Sequence, residues 1–336
     1  MKFFVYSTRY SKEIGDLRSI IEDYEKTLEY IFKKSIVSLY NKSFDVGPLE
    51  LDSVKLACSK KYFSRISQEY RNRQDNIFRA HIYDELIGCN GTKRATELAF
   101  MSKGIAYHLG GGYHHAAKFR EGGFDYLNDI VYAVEFMRKK YNLRRVLIID
   151  LDVHFPDGTY DTYVRDPNIY QFSIHGWNIF PGRGWITDIG AGEARFTKLN
   201  IPLPSGTTGD LYLEALEEFL PLFFRIANPE LVIYQAGCDV LHNDRLGNLK
   251  LTLDDVYRRD RYIYDTVYKN NKIPLVILAG GGYSENTYKA RINTISLIAQ
   301  ERIMFEEKIQ LTSNVEDKFR KWISQFKNFF YTHYLK

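Results

Sequence analysis

Short apolar runs without polar alternation recur along this chain, separated by longer amphipathic stretches. Residues 104–107, 145–149, 169–174, 231–234 and 274–278 carry such runs. Their lack of alternation predicts strands covered on both faces. Apolar residues at helical spacing predict helices over residues 92–102, 128–141, 211–226 and 253–270. Strand and helix alternating in this way predict an α/β fold with a mostly parallel central sheet and helices on both faces.

The ends of the chain read differently. In residues 1–90, Ile14, Leu17, Ile20, Ile21, Tyr24, Leu28 and Ile31 recur at helical spacing, so this part is expected to be mainly helix and loop, forming a rim. The punctuation changes at Asn90-Gly91-Thr92, and residues 91–290 carry the core. Ser313 and Glu316 make a helix-start signature, and Phe319, Trp322, Ile323, Phe326 and Phe330 follow as an apolar stripe. Residues 313–336 are therefore expected to form a helix that packs back onto the domain. No repeat or Pro- or Ser-rich linker divides the 336 residues, so one domain is expected over residues 1–336.

Composition narrows the function classes. The formal charge of +4 gives no concentrated basic face and argues against nucleic-acid binding. The clusters Lys33-Lys34, Lys60-Lys61 and residues 258–261 read as solvated helix faces. Three widely spaced cysteines, Cys58, Cys89 and Cys238, argue against a disulfide framework and fit a reducing, cytoplasmic setting. The N-terminal apolar run is too short for a signal peptide, and no segment approaches the roughly 18 apolar residues of a membrane span.

The chemistry gathers where strands end. After residues 104–107 comes HLGGGYHHA, with His114-His115; after 145–149 comes DLDVHFPDG; after 231–234 comes QAGCDVLHNDRLGNL; after 274–278 comes AGGGY, ending in Tyr283. Ligands of open parallel sheets bind at the carboxyl ends of strands, so one active site explains all four loops together. Asp152 and His154, two apart on an extended segment, point to the same side. With Asp239 they make a three-ligand site with an open position, the arrangement of catalytic zinc. His114 and His115 are placed to handle protons, and Tyr283 to hydrogen-bond a carbonyl oxygen that gains negative charge. Asp157-Gly158 on its own looks like a turn. His81, His108, His242 and His333 read as satisfied core or surface residues, and Cys238 as a small buried neighbour of the site.

In their order GGGYHHA, GGFDYLNDI, DLDVHFPDGT, AGCDVLHNDRLGNLKLT and AGGGY, the motifs resemble the histone deacetylase superfamily, which includes acetylpolyamine amidohydrolases. NDRLGNL, with Arg245 where most relatives have proline, and EGGF are most similar to class IV deacetylases and their bacterial cousins. The resemblance runs from about Gly91 to about Tyr283 and implies an arginase–deacetylase fold. It implies zinc on Asp152, His154 and Asp239, with iron(II) as a substitute, and hydrolysis of an acyl-lysine or related N-acyl amine. His115 matches the general base and His114 its electrostatic partner; Asp157 and Asp150 match the acids behind them. Tyr283 matches the carbonyl-polarising tyrosine, while Phe124 and Phe180 match the walls of the acyl-lysine tunnel, with Gly123 beside Phe124. Asp150 and Ser173 resemble a structural site for potassium or sodium. Asp125 stands where many relatives carry Cys.

Arginase-like enzymes of the same fold bind two manganese ions, but the positions of their extra acids hold Pro156 and Leu241 here, which argues for one metal. The partners implied are an acyl-lysine protein or peptide, or an acylated polyamine, with class IV resemblance favouring long acyl chains. A catalytically silent acyl-lysine binder is the rival from another class, and it conflicts with a complete set of site residues. Oligomeric state is open.

Overall fold

The computed structural model describes residues 1–10, 18–72, 76–307, 309–312 and 314–335. Among them, eight strands form one sheet in the order β2-β1-β3-β8-β7-β4-β5-β6. The strands are β1 (Lys2–Tyr6), β2 (Lys42–Asp45), β3 (Ile105–His108), β4 (Val146–Asp150), β5 (Ile169–Gly176), β6 (Lys198–Leu203), β7 (Leu231–Gln235) and β8 (Leu275–Leu278). Every ladder is parallel.

The apolar runs are explained by what covers them. On β4, Leu147 and Ile149 enter one core while Val146 and Ile148 enter the other; on β7, Val232 and Tyr234 divide from Leu231 and Ile233 in the same way. Period-two alternation then separates two buried faces rather than a wet face from a dry one, so no polar residue is required between them. The first core takes residues from α1 (Arg18–Lys33), α6 (Gly209–Ala227), α7 (Leu253–Ile263), α8 (Thr287–Ala299) and α9 (Glu316–His333). The second takes them from α2 (Lys60–Asn72), α3 (Asn76–Ser102) and α4 (Asp129–Tyr141).

Three expectations change. Residues 1–90 are not only helix and loop, because they supply β1 and β2. β1 lies inside the sheet, its Phe3, Phe4 and Val5 buried between β2 and β3; a five-residue run at a terminus has no flanking turn to mark it as a strand. Gly91 does not begin a new element, since α3 runs straight through it. Its missing side chain makes room for the His108 ring, against which a Cβ at Gly91 would collide. Residues 258–261 are not a solvated face: Arg258 and Arg261 are exposed, but Arg259 and Asp260 are buried as an ion pair of 2.9 Å. The strand β6 was hidden by Pro202, which is tolerated at the sheet edge that β6 occupies.

In α9, Phe319, Ile323, Phe326 and Phe330 are buried against the first core, so the terminal helix packs back. Ser313, expected at its start, lies outside the described residues, as do Ile14 and Leu17 of the first helical pattern. No described helix is long and apolar enough to cross a membrane.

Two core histidines make stability depend on pH. Burial pushes both His108 and His175 down to about 3, so they stay neutral when folded and must gain a proton when unfolded. Their folded pKa lies below the unfolded value of about 6.5, so the stability they confer is complete above that pH. It is lost as pH falls from about 6.5 towards 3, at up to about 1.4 kcal/mol per pH unit for each histidine. Asp125 and Asp239, both raised to about 7, act in the opposite sense over the same interval, so the histidine share is read as a difference. Between pH 6.5 and pH 4.5 the wild type is expected to lose more urea stability than His108→Gln does. Equal losses would remove this account.

Candidate metal centre

The strands β3, β8, β7 and β4 are neighbours in the sheet and run in one direction. Their carboxyl ends therefore open on one edge, and the four chemistry-bearing loops meet there.

Beyond β4 the chain does not stay extended as expected but bends through Asp152, Val153 and His154, where Asp150 Oδ1 accepts from the Asp152 N–H (3.3 Å) and Asp152 Oδ1 from the His154 N–H (3.0 Å). The Val153 N–H donates to Asp239 Oδ1 (2.8 Å), which ties this segment to the loop after β7. His154 Nδ1 lies 3.1 Å from Asp152 Oδ1 and 3.1 Å from Asp239 Oδ2. All three side chains are buried, and one ligand atom from each falls within 4.8 Å of the others. Gly281, after β8, closes the floor; a Cβ there would come 2.7 Å from Asp152 Oδ2 and 2.9 Å from Asp239 Oδ2.

Charge makes this a cation site. Burial disfavours ionisation of Asp239, and the neighbouring Asp152 charge adds to it, pushing Asp239 up to about 7. Burial works against a charged His154, but Asp152 and Asp239 outweigh it and raise His154 to about 11. Two carboxylates and one imidazole converging in a dry pocket fit a divalent ion with three protein donors and an open position. Pro156 offers no side-chain donor and Leu241 is buried in the first core, so no second carboxylate joins the group among the described residues.

The tandem histidines stand against this triad. Asp129 accepts from the backbone N–H groups of Gly112 (3.0 Å) and Tyr113 (2.7 Å), pinning the glycine loop that delivers them. His114 Nδ1 is 2.9 Å from Asp150 Oδ2, and His115 Nδ1 is 2.6 Å from Asp157 Oδ1. The two environments divide the pair. Burial opposes a charge on His114, yet Asp150 and Asp152 carry it up to about 10. Burial, joined by the His114 charge, pushes His115 down to about 4. The surroundings thus favour a proton on His114 and disfavour a charge on His115. Burial works against ionised Asp157, but its hydrogen bond with His115 and the Arg120 guanidinium hold it below the usual carboxylate range. Asp157 heads the short helix α5 (Asp157–Tyr163) and is no mere turn residue.

Tyr283 is fixed by its backbone. Its N–H donates to Asp244 Oδ2 (2.6 Å), and Arg245 Nε donates to its carbonyl (2.9 Å), which gives Arg245 a structural role in this chain. Burial, then the Asp239 and Asp152 charges, push the phenol well above its ordinary value, so it keeps its proton as a donor.

A cavity of about 170 Å³ is lined by His114, His115, Asp152, His154 and Tyr283 and continues inward to Arg291. Phe124 also lines it, its ring 6.5 Å from that of Tyr283, while Phe180 lies edge-on to His115 at 4.8 Å. Both rings are half exposed, as the walls of an entrance are. Gly123 has a positive φ of 57° and lies on the His115 ring, where a Cβ would come within 2.7 Å. Asp125 lines the cavity too, and its Oδ2 accepts from the His115 N–H (2.9 Å); burial pushes it up to about 7. Asp150 and Ser173 are direct partners across β4 and β5, with Ser173 Oγ 2.9 Å from His175 Nδ1. His242 pairs with Glu307 at 2.9 Å, and Cys238 is buried beside Asp239.

Sequence reasoning missed the residues that hold the loops. The guanidinium of Arg259 reaches the carbonyls of Leu151 (3.1 Å) and Gly237 (2.8 Å), one on each ligand-bearing loop. Nothing local marks it, because its neighbours in Arg258-Arg259-Asp260-Arg261 are surface types. Asp244 and Asp129 lie inside motifs already quoted, yet their partners are backbone N–H groups that no sequence pattern displays.

The family model for the histone deacetylase domain matches residues 24–297. The chain is 34% identical to histone deacetylase 8 of Xenopus laevis over 206 residues, 60% of this chain and 61% of that protein. It is 36% identical to histone deacetylase 2 of Arabidopsis thaliana over 215 residues, 64% of this chain and 53% of that one. Human histone deacetylase 1 shares 33% identity over 191 residues, 56% of this chain and 38% of the human protein. The matches thus span less than two thirds of these relatives. With a parallel sheet of this order and an Asp-His-Asp group at the carboxyl ends of its central strands, the chain belongs to the histone deacetylase family.

Proposed function

We propose that this protein is a zinc-dependent amidohydrolase that removes an acyl group, acetyl or longer, from the ε-amine of lysine in a protein or peptide. The observation that carries the reading is geometric: two adjacent histidines, each with its Nδ1 on a carboxylate (His114 on Asp150 at 2.9 Å, His115 on Asp157 at 2.6 Å), stand beside a buried group of two carboxylates and one imidazole.

Asp152, His154 and Asp239 hold the metal in this reading, with iron(II) as an alternative occupant. When bound, the ion supplies a Lewis acid for the amide carbonyl and lowers the pKa of water from about 15.7 to roughly 7. His115 takes the proton of the attacking water on its Nε2, since its Nδ1 proton is committed to Asp157. It then returns a proton to the departing amine. His114, held cationic by Asp150, keeps a positive charge beside the oxyanion and lowers the basicity of its neighbour. Tyr283 donates its O–H to the carbonyl oxygen as charge develops there. Phe124 and Phe180 hold the apolar stem of the lysine and keep water from the reacting bond. Free cysteines throughout suit a cytoplasmic setting.

The test is a mass-spectrometric assay of zinc-reconstituted protein on one lysine peptide carrying acyl groups from acetyl to myristoyl. Chelator-sensitive release is expected, and the preferred chain length divides a deacetylase from a fatty deacylase. No release of any acyl group by folded, metal-loaded protein would reject the acyl-lysine reading, and acylated polyamines would be assayed next.

A further inference from the structure

A chain of ion pairs leads outward from His115. Asp157 Oδ1 faces His115 Nδ1 at 2.6 Å, and its other oxygen accepts from Arg120 Nη2 at 2.7 Å. The same Nη2 reaches Asp161 Oδ2 at 2.6 Å, and Asp161 accepts from Arg183 Nη2 at 2.8 Å. Arg120 Nη1 meanwhile donates to the carbonyls of His115 (3.2 Å) and Glu121 (3.2 Å). One guanidinium therefore joins α5, through Asp157 and Asp161, to the loop that carries His115. The Arg120–Asp157 pair is mostly removed from water: the Asp157 side chain is 7% exposed and that of Arg120 32%.

We propose that Arg120 is a positioning residue that acts through Asp157, fixing its carboxylate so that His115 keeps its proton on Nδ1 and presents Nε2 to the cavity. The chemistry requires an orienting group of this kind. A carboxylate held from one side only can rotate about its Cβ–Cγ bond, and a rotated Asp157 no longer receives the Nδ1 proton. A guanidinium bound to the second oxygen and to two backbone carbonyls removes that freedom. It also draws negative charge away from His115, so the imidazole is oriented without being made so basic that it stays protonated. Lysine would supply the charge but not the planar fork that spans two carboxylates and the loop backbone. No other side chain among the described contacts of Asp157 can do the same, since its oxygens meet only His115 and Arg120.

The proposal rests on the hydrolase reading, so the test carries one readout that does not need turnover. In zinc-loaded protein, the proton between His115 and Asp157 is expected as a far-downfield resonance, assigned by its loss in His115→Ala. Arg120→Gln is expected to shift or broaden that resonance and to lower kcat by about 10–100-fold with KM nearly unchanged, as outer-sphere partners of catalytic groups do. Arg120→Lys should recover part of both effects. In an Asp157→Asn background, Arg120→Gln should lower kcat no further, because its route to His115 is already cut. An unshifted resonance with full kcat in Arg120→Gln would overturn the proposal. So would an undiminished loss in the Asp157→Asn background, which would mean that Arg120 acts by another path. Should Arg120→Gln fail to fold, the resonance of Arg120→Lys decides alone, an unshifted signal counting against the proposal. A wild type that cleaves no acyl-lysine peptide would sink the acyl-lysine reading while the resonance still judges Arg120.

Discussion

Replacing His154 with Ala is expected to abolish hydrolysis, with kcat/KM falling on the order of 10³-fold or more. The figure follows from the several kcal/mol of charge stabilisation a catalytic metal supplies, at 1.36 kcal/mol for each factor of ten. The same loss should follow from Asp239→Ala and, reversibly, from chelation of the wild type. Metal content measured beside activity separates the causes: both should vanish together, with a far-UV spectrum like that of the wild type. A His154→Ala protein that kept metal and worked within tenfold of the wild type would show that the triad is not the centre.

A pH dependence accompanies this result. Asp152 and Asp239 raise His154 to about 11, so a metal must displace a proton from it over the whole neutral range. Asp239, raised to about 7, holds part of a second proton, so apparent metal affinity is expected to rise with pH by about tenfold per unit or more, with at least one proton released for each ion bound. Competition against a chelator of known affinity between pH 6 and pH 8 measures the slope, and a slope of zero would mean that His154 binds metal without giving up a proton.

The second large effect belongs to Tyr283→Phe. Removing one hydroxyl takes away the donor to the carbonyl oxygen but no packing and no metal ligand. The loss expected is about 10²–10³ in kcat, the range for deleting one oxyanion donor. KM and metal content should change little, because the hydrogen bond strengthens only as the oxygen becomes charged. The loop itself should survive: it is held by the Tyr283 backbone bonds to Asp244 and Arg245, which the substitution leaves in place. Undiminished turnover would reject the role of the phenol. A fall confined to KM would turn it into a binding residue.

Much of the site could be read from the chain because its parts are local. Asp150, Asp152, His154 and Asp157 sit at the end of β4, in the bend that follows it and at the start of the next helix, so one short stretch of chain delivers them all. His114 and His115 are adjacent, and the glycines around them announce a tight approach. The clamps were hidden because their partners lie far away. Arg120 is separated from Asp157 by 37 positions, Asp244 from the Tyr283 N–H by 39, and Arg259 from the Leu151 carbonyl by 108. An arginine bound to a backbone carbonyl leaves no trace in the identity of the residue that owns the carbonyl.

The sequence by itself determined that apolar runs would be strands covered on both faces, because such runs can be satisfied only where both faces are dry. It also determined the chemistry at four strand ends, since side chains of that type have no packing reason to follow buried strands so regularly. Only the tertiary structure decided that β3, β8, β7 and β4 are neighbours, which brings those ends within reach of one another. It alone placed β1 and β2 on the sheet and put Arg259 in the core. Strand order and the burial of a charge depend on which distant surfaces meet, and local propensity and periodicity carry no record of that.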